Sequence, residues 1–337
     1  MRRFFACTAA ALLFAGPAAA RTLVLYCSHD ADACELAAKT FEQETGIATA
    51  VTRKPTGENF AQIRAERDNP KADVWYGGTI EPFLQGAAEG LFAEYRSPKL
   101  AELAPWARVA TQRSGYRVAA IYRIVIGFGS NPALLGRRGA PPPRCWSDLT
   151  LPAYARDVEL SNPVTSGTGY TILATIVTLY GEDGAFAYLK RLAPNVVRYT
   201  QSGTAQGPSV ARGEVAVGVT FVHEFVTQQI AGFAVDIAIP CEGTGAALGG
   251  MAIVAGAPHP EEARAFYDWA LTKSAQELAN RTKNLIVPAN AAATVRPEAA
   301  RFAQAATLDV DPLKFGQPEE RRRLLARWQR EIGDGAR

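Results

Sequence analysis

The chain has 337 residues, 48% of them hydrophobic and 20% charged, with a formal charge of +3. This fits a folded globular chain and leaves no block that composition assigns to disorder. Two of the basic residues are Arg2 and Arg3, so the remainder is close to neutral, and no basic stripe interleaved with aromatics argues for nucleic acid as a partner.

Met1, Arg2 and Arg3 precede an apolar run from Phe4 to Ala15, then Gly16, Pro17 and Ala18, Ala19, Ala20. A basic head, an apolar stretch too short to span a bilayer and an alanine-rich exit are the parts of a secretory signal peptide. Cleavage is expected after Ala20. Cys7 lies ahead of most of the apolar region, the wrong order for a lipid-anchored cysteine. The mature chain then runs from Arg21 to Arg337, long enough for two domains or one large one. It offers no further long apolar stretch and is expected to be free in its compartment. Cys27, Cys34, Cys145 and Cys241 remain, an even number that permits two disulfides outside the cytoplasm and three pairings. Cys27 with Cys34 and Cys145 with Cys241 are the favoured pairs, against an alternative of four separate thiols.

Leu23–Tyr26 reads as a strand and Asp32–Thr45 as a helix stopped by Gly46, with a second strand over Ile47–Arg53. A helix over Asn59–Asn69 leads to a buried strand, Ala72–Tyr76, which opens onto Gly77, Gly78 and Thr79 before a helix over Glu81–Glu89. Strand, polar turn, helix and strand begin an α/β layer with parallel pairing, whose ligand loops leave the carboxyl ends of the strands. A strand near Arg117–Ile126 carries the chain into a second lobe. There Val158–Leu160, Val197–Thr200, Val215–Phe221 and Val235–Ile239 are strands, with Val215–Phe221 continuing to His223 and Glu224. Helices are expected at Tyr170–Tyr180, Asp183–Leu192, Gly207–Arg212 and Phe225–Ala231. Gly249–Ala255 returns to the first lobe, Pro260–Thr272 is a helix there, and Pro318–Ile332 is a charged amphipathic helix. The first lobe is expected to comprise residues 21–126 and 249–297 and the second 127–248 and 298–337, joined by two crossings.

Thr165, Ser166, Gly167 and Thr168 stand just before a helix, where small hydroxyls and exposed amides suit a negative charge or serve as an ordinary cap. Ser202, Gly203 and Thr204 form a second such segment. From the first lobe come Ser28, His29, Thr56, Gly78 and Thr79. Neither small-residue segment ends in Gly-Lys-Ser/Thr, which argues against ATP. Ser28 beside His29 is adjacency without triad geometry, and no G-x-S-x-G elbow occurs. His223 supplies charge or one hydrogen bond, Glu224 accepts from hydroxyls or pairs with an amine, and Glu242 is a second acceptor.

The segment Ala72–Thr79, the stretch Asn162–Gly169 and the order in which Gly213–Glu224 follows resemble the periplasmic binding proteins of ABC importers, in the branch related to ferric-ion, hexose-phosphate and 2-aminoethylphosphonate receptors. The resemblance implies a type II fold of two discontinuous α/β lobes with a two-segment hinge, closing over one solute and docking, as a monomer, to an inner-membrane permease. It implies no enzyme and no cofactor. In ferric binders the matching strand ends in a histidine followed by two adjacent tyrosines; here those positions are His223, Glu224 and Phe225. Loss of both phenolates points away from a metal and toward a small organic anion, a phosphorylated sugar or a phosphonate, with ferric ion as the alternative.

Overall fold

The computed structural model describes residues 22–282, 285–303, 305 and 307–333; the expected leader and its cleavage point lie outside the described residues. β1 (Thr22–Cys27), α1 (Ala31–Thr45), β2 (Ala48–Arg53), α2 (Thr56–Ala65), β3 (Val74–Thr79) and α3 (Ile80–Ala88) open the chain. Next come α4 (Pro105–Arg113), β4 (Ala119–Ser130), α5 (Pro132–Arg138), β5 (Val158–Ser161), α6 (Gly167–Leu192), β6 (Val196–Thr200), α7 (Gln206–Ala211), β7 (Val217–Phe221) and α8 (Val222–Ile230). The remainder is β8 (Asp236–Ala238), β9 (Ala246–Ile253), α9 (Pro260–Ala270), α10 (Lys273–Gln276), β10 (Val287–Pro288), α11 (Pro297–Ala303), α12 (Pro312–Phe315) and α13 (Pro318–Glu331).

The strands form one path in the order β2, β1, β3, β9, β4, β7, β5, β6, with β8 and β10 also paired to β4. β1 lies parallel to β2 and β3, and β5 parallel to β6 and β7, while β9 runs antiparallel between β3 and β4. β4 is shared. Its residues from Ala119 to Val125 pair with β9, ending at Val125 opposite Ala246, and from Ile126 opposite Phe221 it pairs with β7. The outcome is a two-lobed α/β fold in which one strand belongs to both halves.

Each half is filled as its pattern demands. Leu23, Leu25 and Val74 alternate into the first core, where Trp75 stacks on Phe83 at 3.6 Å and Phe41 meets Phe266 and Trp269 edge-on. Full burial of such side chains stabilises by roughly 1.5–3 kcal/mol each. In the second half Phe128 packs edge-on against Trp146, and Tyr188 donates its hydroxyl to the carbonyl of Trp146. Cys27 is joined to Cys34 and Cys145 to Cys241, the favoured pairs. Gly46 ends α1 in the left-handed conformation, its N–H bonded to Glu42 O.

Several boundaries differ from expectation. α2 starts at Thr56, three residues early, because Pro55 precedes it with a compatible φ, and it ends at Ala65. β3 continues through Gly77 and Gly78 to Thr79. β7 stops at Phe221, so His223 and Glu224 occupy the first turn of a helix rather than the end of a strand. β9 begins at Ala246, before Gly249. α4 and α5 went unanticipated although each starts with a proline at its first position, and Asn131 caps α5 by accepting from Leu134 N. Residues 167–192 are two helices broken at Gly181, near the expected break. Among the described residues no helix is long and apolar enough to cross a membrane.

Candidate functional site

The turns leaving β1 and β3 meet the turns leaving β5, β6 and β7 around a cavity between the halves. Its lining includes Ser28, His29 and Asp30 after β1, Thr56 opening α2, Gly78 and Thr79 at the end of β3, Thr168 in the first turn of α6, Gly203 and Thr204 before α7, and Phe221, His223 and Glu224 at the start of α8. Tyr122 and Ile124 of β4 form its floor. α1, α2, α3, α6 and α8 therefore begin at this one place. Each helix start carries roughly half a positive charge and several N–H groups without an intrahelical acceptor.

The first-lobe wall is fixed in detail. Ser28 Oγ accepts from Asn59 Nδ2 at 2.9 Å and from Trp75 Nε1 at 2.9 Å. Both lone pairs are thereby used, so what its hydroxyl has left to give is a proton. Gly78 holds φ of 88°, and a Cβ there would lie 2.5 Å from Thr56 Oγ1; its N–H donates to Tyr122 Oη at 2.9 Å. Thr79 Oγ1 is buried and has no hydrogen-bond partner among the described residues. The His29 ring leans on Tyr122 at 4.8 Å, and Arg53 Nε donates to His29 O. Burial, helped by the charges of His223 and Arg53, pushes His29 down to about 4 against the opposing pull of Asp30, so the ring is neutral near pH 7.

Opposite, His223 Nε2 stands 3.5 Å from Glu224 Oε1 and 3.9 Å from Asp30 Oδ2, an approach that joins the two walls. Burial works against a charged His223, but the hydrogen bond and charge of Glu224, then the charge of Asp30, outweigh it and hold the imidazole above its ordinary value. Burial and then Asp30 push the Glu224 carboxyl up to about 7, against His223 and Arg53. One donor atom from each of Asp30, His223 and Glu224 falls within 4.8 Å of the others, a set that could hold a cation.

Five expected residues fall outside this lining. Ser166 caps α6, accepting from Gly169 N and hydrogen-bonded to Ser161 Oγ, the ordinary cap role. Thr165 donates to Gln201 O, and Ser202 Oγ is bonded to Thr204 Oγ1. Gly167 is the close approach between halves: a Cβ there would collide with Thr79 Oγ1. Glu242 is remote from the cavity. It accepts from Trp146 N at 2.7 Å and Ser147 N at 3.0 Å, tying down the turn beside the Cys145–Cys241 bridge. Asp30, Tyr122, Ile124 and Phe221 were missed. The signal for Asp30 was its place beside Ser28 and His29 in the turn after β1; Tyr122, inside a long strand, gave none.

Residues 69–314 match the family of bacterial extracellular solute-binding proteins. An uncharacterized protein of Haemophilus influenzae is 39% identical over 327 residues, covering 96% of this chain and 94% of its own. The structure of the periplasmic binding protein AfuA from Actinobacillus pleuropneumoniae, with exogenous fructose-6-phosphate bound, is 40% identical and matches 93% of this chain and 98% of its own with a TM-score of 0.90. That of the periplasmic binding protein P5PA is 38% identical, covering 93% and 99%, with a TM-score of 0.89. Sequence, two-lobed architecture and a cleft walled by strand-to-helix turns agree: the chain belongs to the bacterial extracellular solute-binding proteins, periplasmic receptors that serve transport rather than catalysis.

Proposed function

We propose that this receptor captures a small organic anion, a phosphorylated sugar or a phosphonate, between its lobes and delivers it as a monomer to an inner-membrane ABC permease. The observation that carries this reading is the convergence of five helix starts on one cavity, where the helix dipoles favour a compact negative group. The donor-only hydroxyl of Ser28 and the orphaned hydroxyl of Thr79 add to it. The fructose-6-phosphate in the Actinobacillus relative supports the phosphate form. We place the lobe boundary where β4 changes partners, between Val125 and Ile126, and at the return through Thr244 and Gly245, whose groups bond to Ile126.

A second reading, ferric-ion capture, is favoured by the gathering of Asp30, His223 and Glu224. Calorimetric titration with inorganic phosphate, glucose 6-phosphate, 2-aminoethylphosphonate and ferric citrate separates the two. Binding of a phosphorylated or phosphonate solute is expected. Binding confined to ferric ion overturns the anion reading.

A further inference from the structure

α13 is held by the second half of the molecule. Arg327 lies 4.2 Å over the Phe186 ring and 2.9 Å from Glu182, Trp328 meets Tyr199 edge-on, and Lys190 pairs with Glu331 at 2.9 Å. The residues just before it rest on the first half. Asp311 is 3.6 Å from Arg113 of α4, and a Cβ at Gly316 would lie 2.7 Å from Leu84 Cβ and 3.1 Å from Glu81 O, both of α3. The chain therefore passes between the halves at Gln317, where the Tyr170 hydroxyl of α6 also reaches across to donate to Phe315 O at 2.7 Å. Two ionisable side chains are shut in at this passage, outside the lining of the solute cavity. Glu81 of α3 and Arg321 of α13 are each 2% exposed, and Glu81 Oε2 and Arg321 Nη1 have no hydrogen-bond partner among the described residues.

We propose that Glu81 and Arg321 set the balance between open and closed receptor: apart, each is hydrated, and closure brings them together out of water at a net cost. Taking two charges out of water costs more than their attraction returns unless hydrogen bonds complete the pair, and here each keeps an atom without a partner. Burial raises the Glu81 carboxyl by more than the charge of Arg321 lowers it, which is the same balance seen from one side. The guanidinium, stacked 4.0 Å over the Tyr170 ring, is fixed within the second half, so the pairing is made and broken by the movement of α3. The consequence for a transport receptor is release. A closed form held back in this way binds solute less tightly than its contacts alone allow, and it reopens more readily. The inference rests on capture between the lobes and not on which solute is held.

The test measures the separation of the halves in the full mature receptor by pulsed electron spin resonance. Spin labels are carried by Gln43→Cys on α1 and Arg191→Cys on α6, both exposed positions, while the native cysteines from Cys27 to Cys241 are tied in disulfides and stay unlabelled. Without solute, Glu81→Gln should raise the ratio of closed to open receptor about fivefold or more over the parent. The gain should be larger in an Arg321→Met background, where the carboxylate has lost its opposing charge and a stem over Tyr170 is kept. A residue that only holds α3 in place would move the melting temperature and leave the ratio alone. A ratio that Glu81→Gln leaves unchanged or lowers overturns the inference, as does an equal gain in the two backgrounds. Should Arg321→Met not fold, Glu81→Gln in the parent decides alone. A separation that responds to glucose 6-phosphate, 2-aminoethylphosphonate or ferric citrate but not to Glu81→Gln overturns the inference and leaves capture between the lobes standing. A single separation that no solute and no variant moves overturns both.

Discussion

Gly57 of the first lobe and Thr165 of the second touch directly, the Gly57 N–H donating to the Thr165 carbonyl at 3.0 Å. No side chain intervenes. A Cβ at position 57 would lie 2.8 Å from that carbonyl and collide with the carbonyl of Val164 as well.

Gly57→Ala therefore holds the lobes apart without touching a ligand atom. Strain of order 1–3 kcal/mol borne only by the closed form predicts a loss of solute affinity of roughly ten- to hundredfold. The open form is spared. Small-angle scattering with saturating solute should show the variant larger than the parent, while its ligand-free melting temperature stays close to the parent's.

Glu224 and His29 make stability respond to pH in opposite senses. The folded-state value of Glu224, about 7, lies above that of a free carboxyl, so its contribution is full below about 4.5 and is lost as pH rises through 7. His29, about 4 when folded, contributes fully above its ordinary value near 6.5 and loses that contribution as pH falls toward 4. Melting curves from pH 4 to 8 should show Glu224→Gln gaining on the parent at the alkaline end. His29→Gln should gain at the acid end.

The two disulfides are expected to differ in what they support. Cys145–Cys241 closes a sequence separation of 96 and Cys27–Cys34 one of 7, so the chain-entropy account gives the long bridge about 2 kcal/mol more stabilisation. Urea unfolding of the paired serine variants tests the order. The short bridge flanks Ser28 and Asp30, and its removal should weaken solute binding more than its share of stability indicates.

Arg321 of α13 is buried at 2% exposure, its guanidinium 4.0 Å over the Tyr170 ring of α6. Burial lowers its affinity for the proton, with Tyr170 and Glu81 opposing that shift. Burial also raises Glu81, which the charge of Arg321 opposes. Arg321→Ala removes the guanidinium stacked on Tyr170 and the positive charge that opposes the upward shift of Glu81, and should lower the urea midpoint of unfolding. Glu81→Gln in that background should recover part of it.

The parts of the fold legible in the sequence were those with strong local periodicity. β1, β3 and β7 are apolar runs bounded by glycine or polar turns, and α1 ends at a glycine that the structure finds left-handed. Where the chain passes from buried strand directly into buried helix, as at Phe221 and Val222, both segments are equally apolar and burial alone cannot mark the boundary. That is why His223 and Glu224 were read as strand-end residues. The small-residue turns pointed to the cavity, but a serine before a helix serves a ligand or caps, and Ser166 caps. Glu242 could not be placed from sequence, because its partners Trp146 and Ser147 lie 96 and 95 residues away. Asp30 was passed over although it adjoins Ser28 and His29, because the residue it approaches, His223, lies on an element far along the chain.

The change of partner on β4 falls between adjacent residues, Val125 facing Ala246 and Ile126 facing Phe221. Each half of that strand is clamped by its own ladder, so the bonds between them, with the return at Thr244 and Gly245, are where one half is freest to turn against the other. A turn there would leave the ladders of each half intact, and a membrane partner of the kind proposed, resting on both halves, would sense an angle.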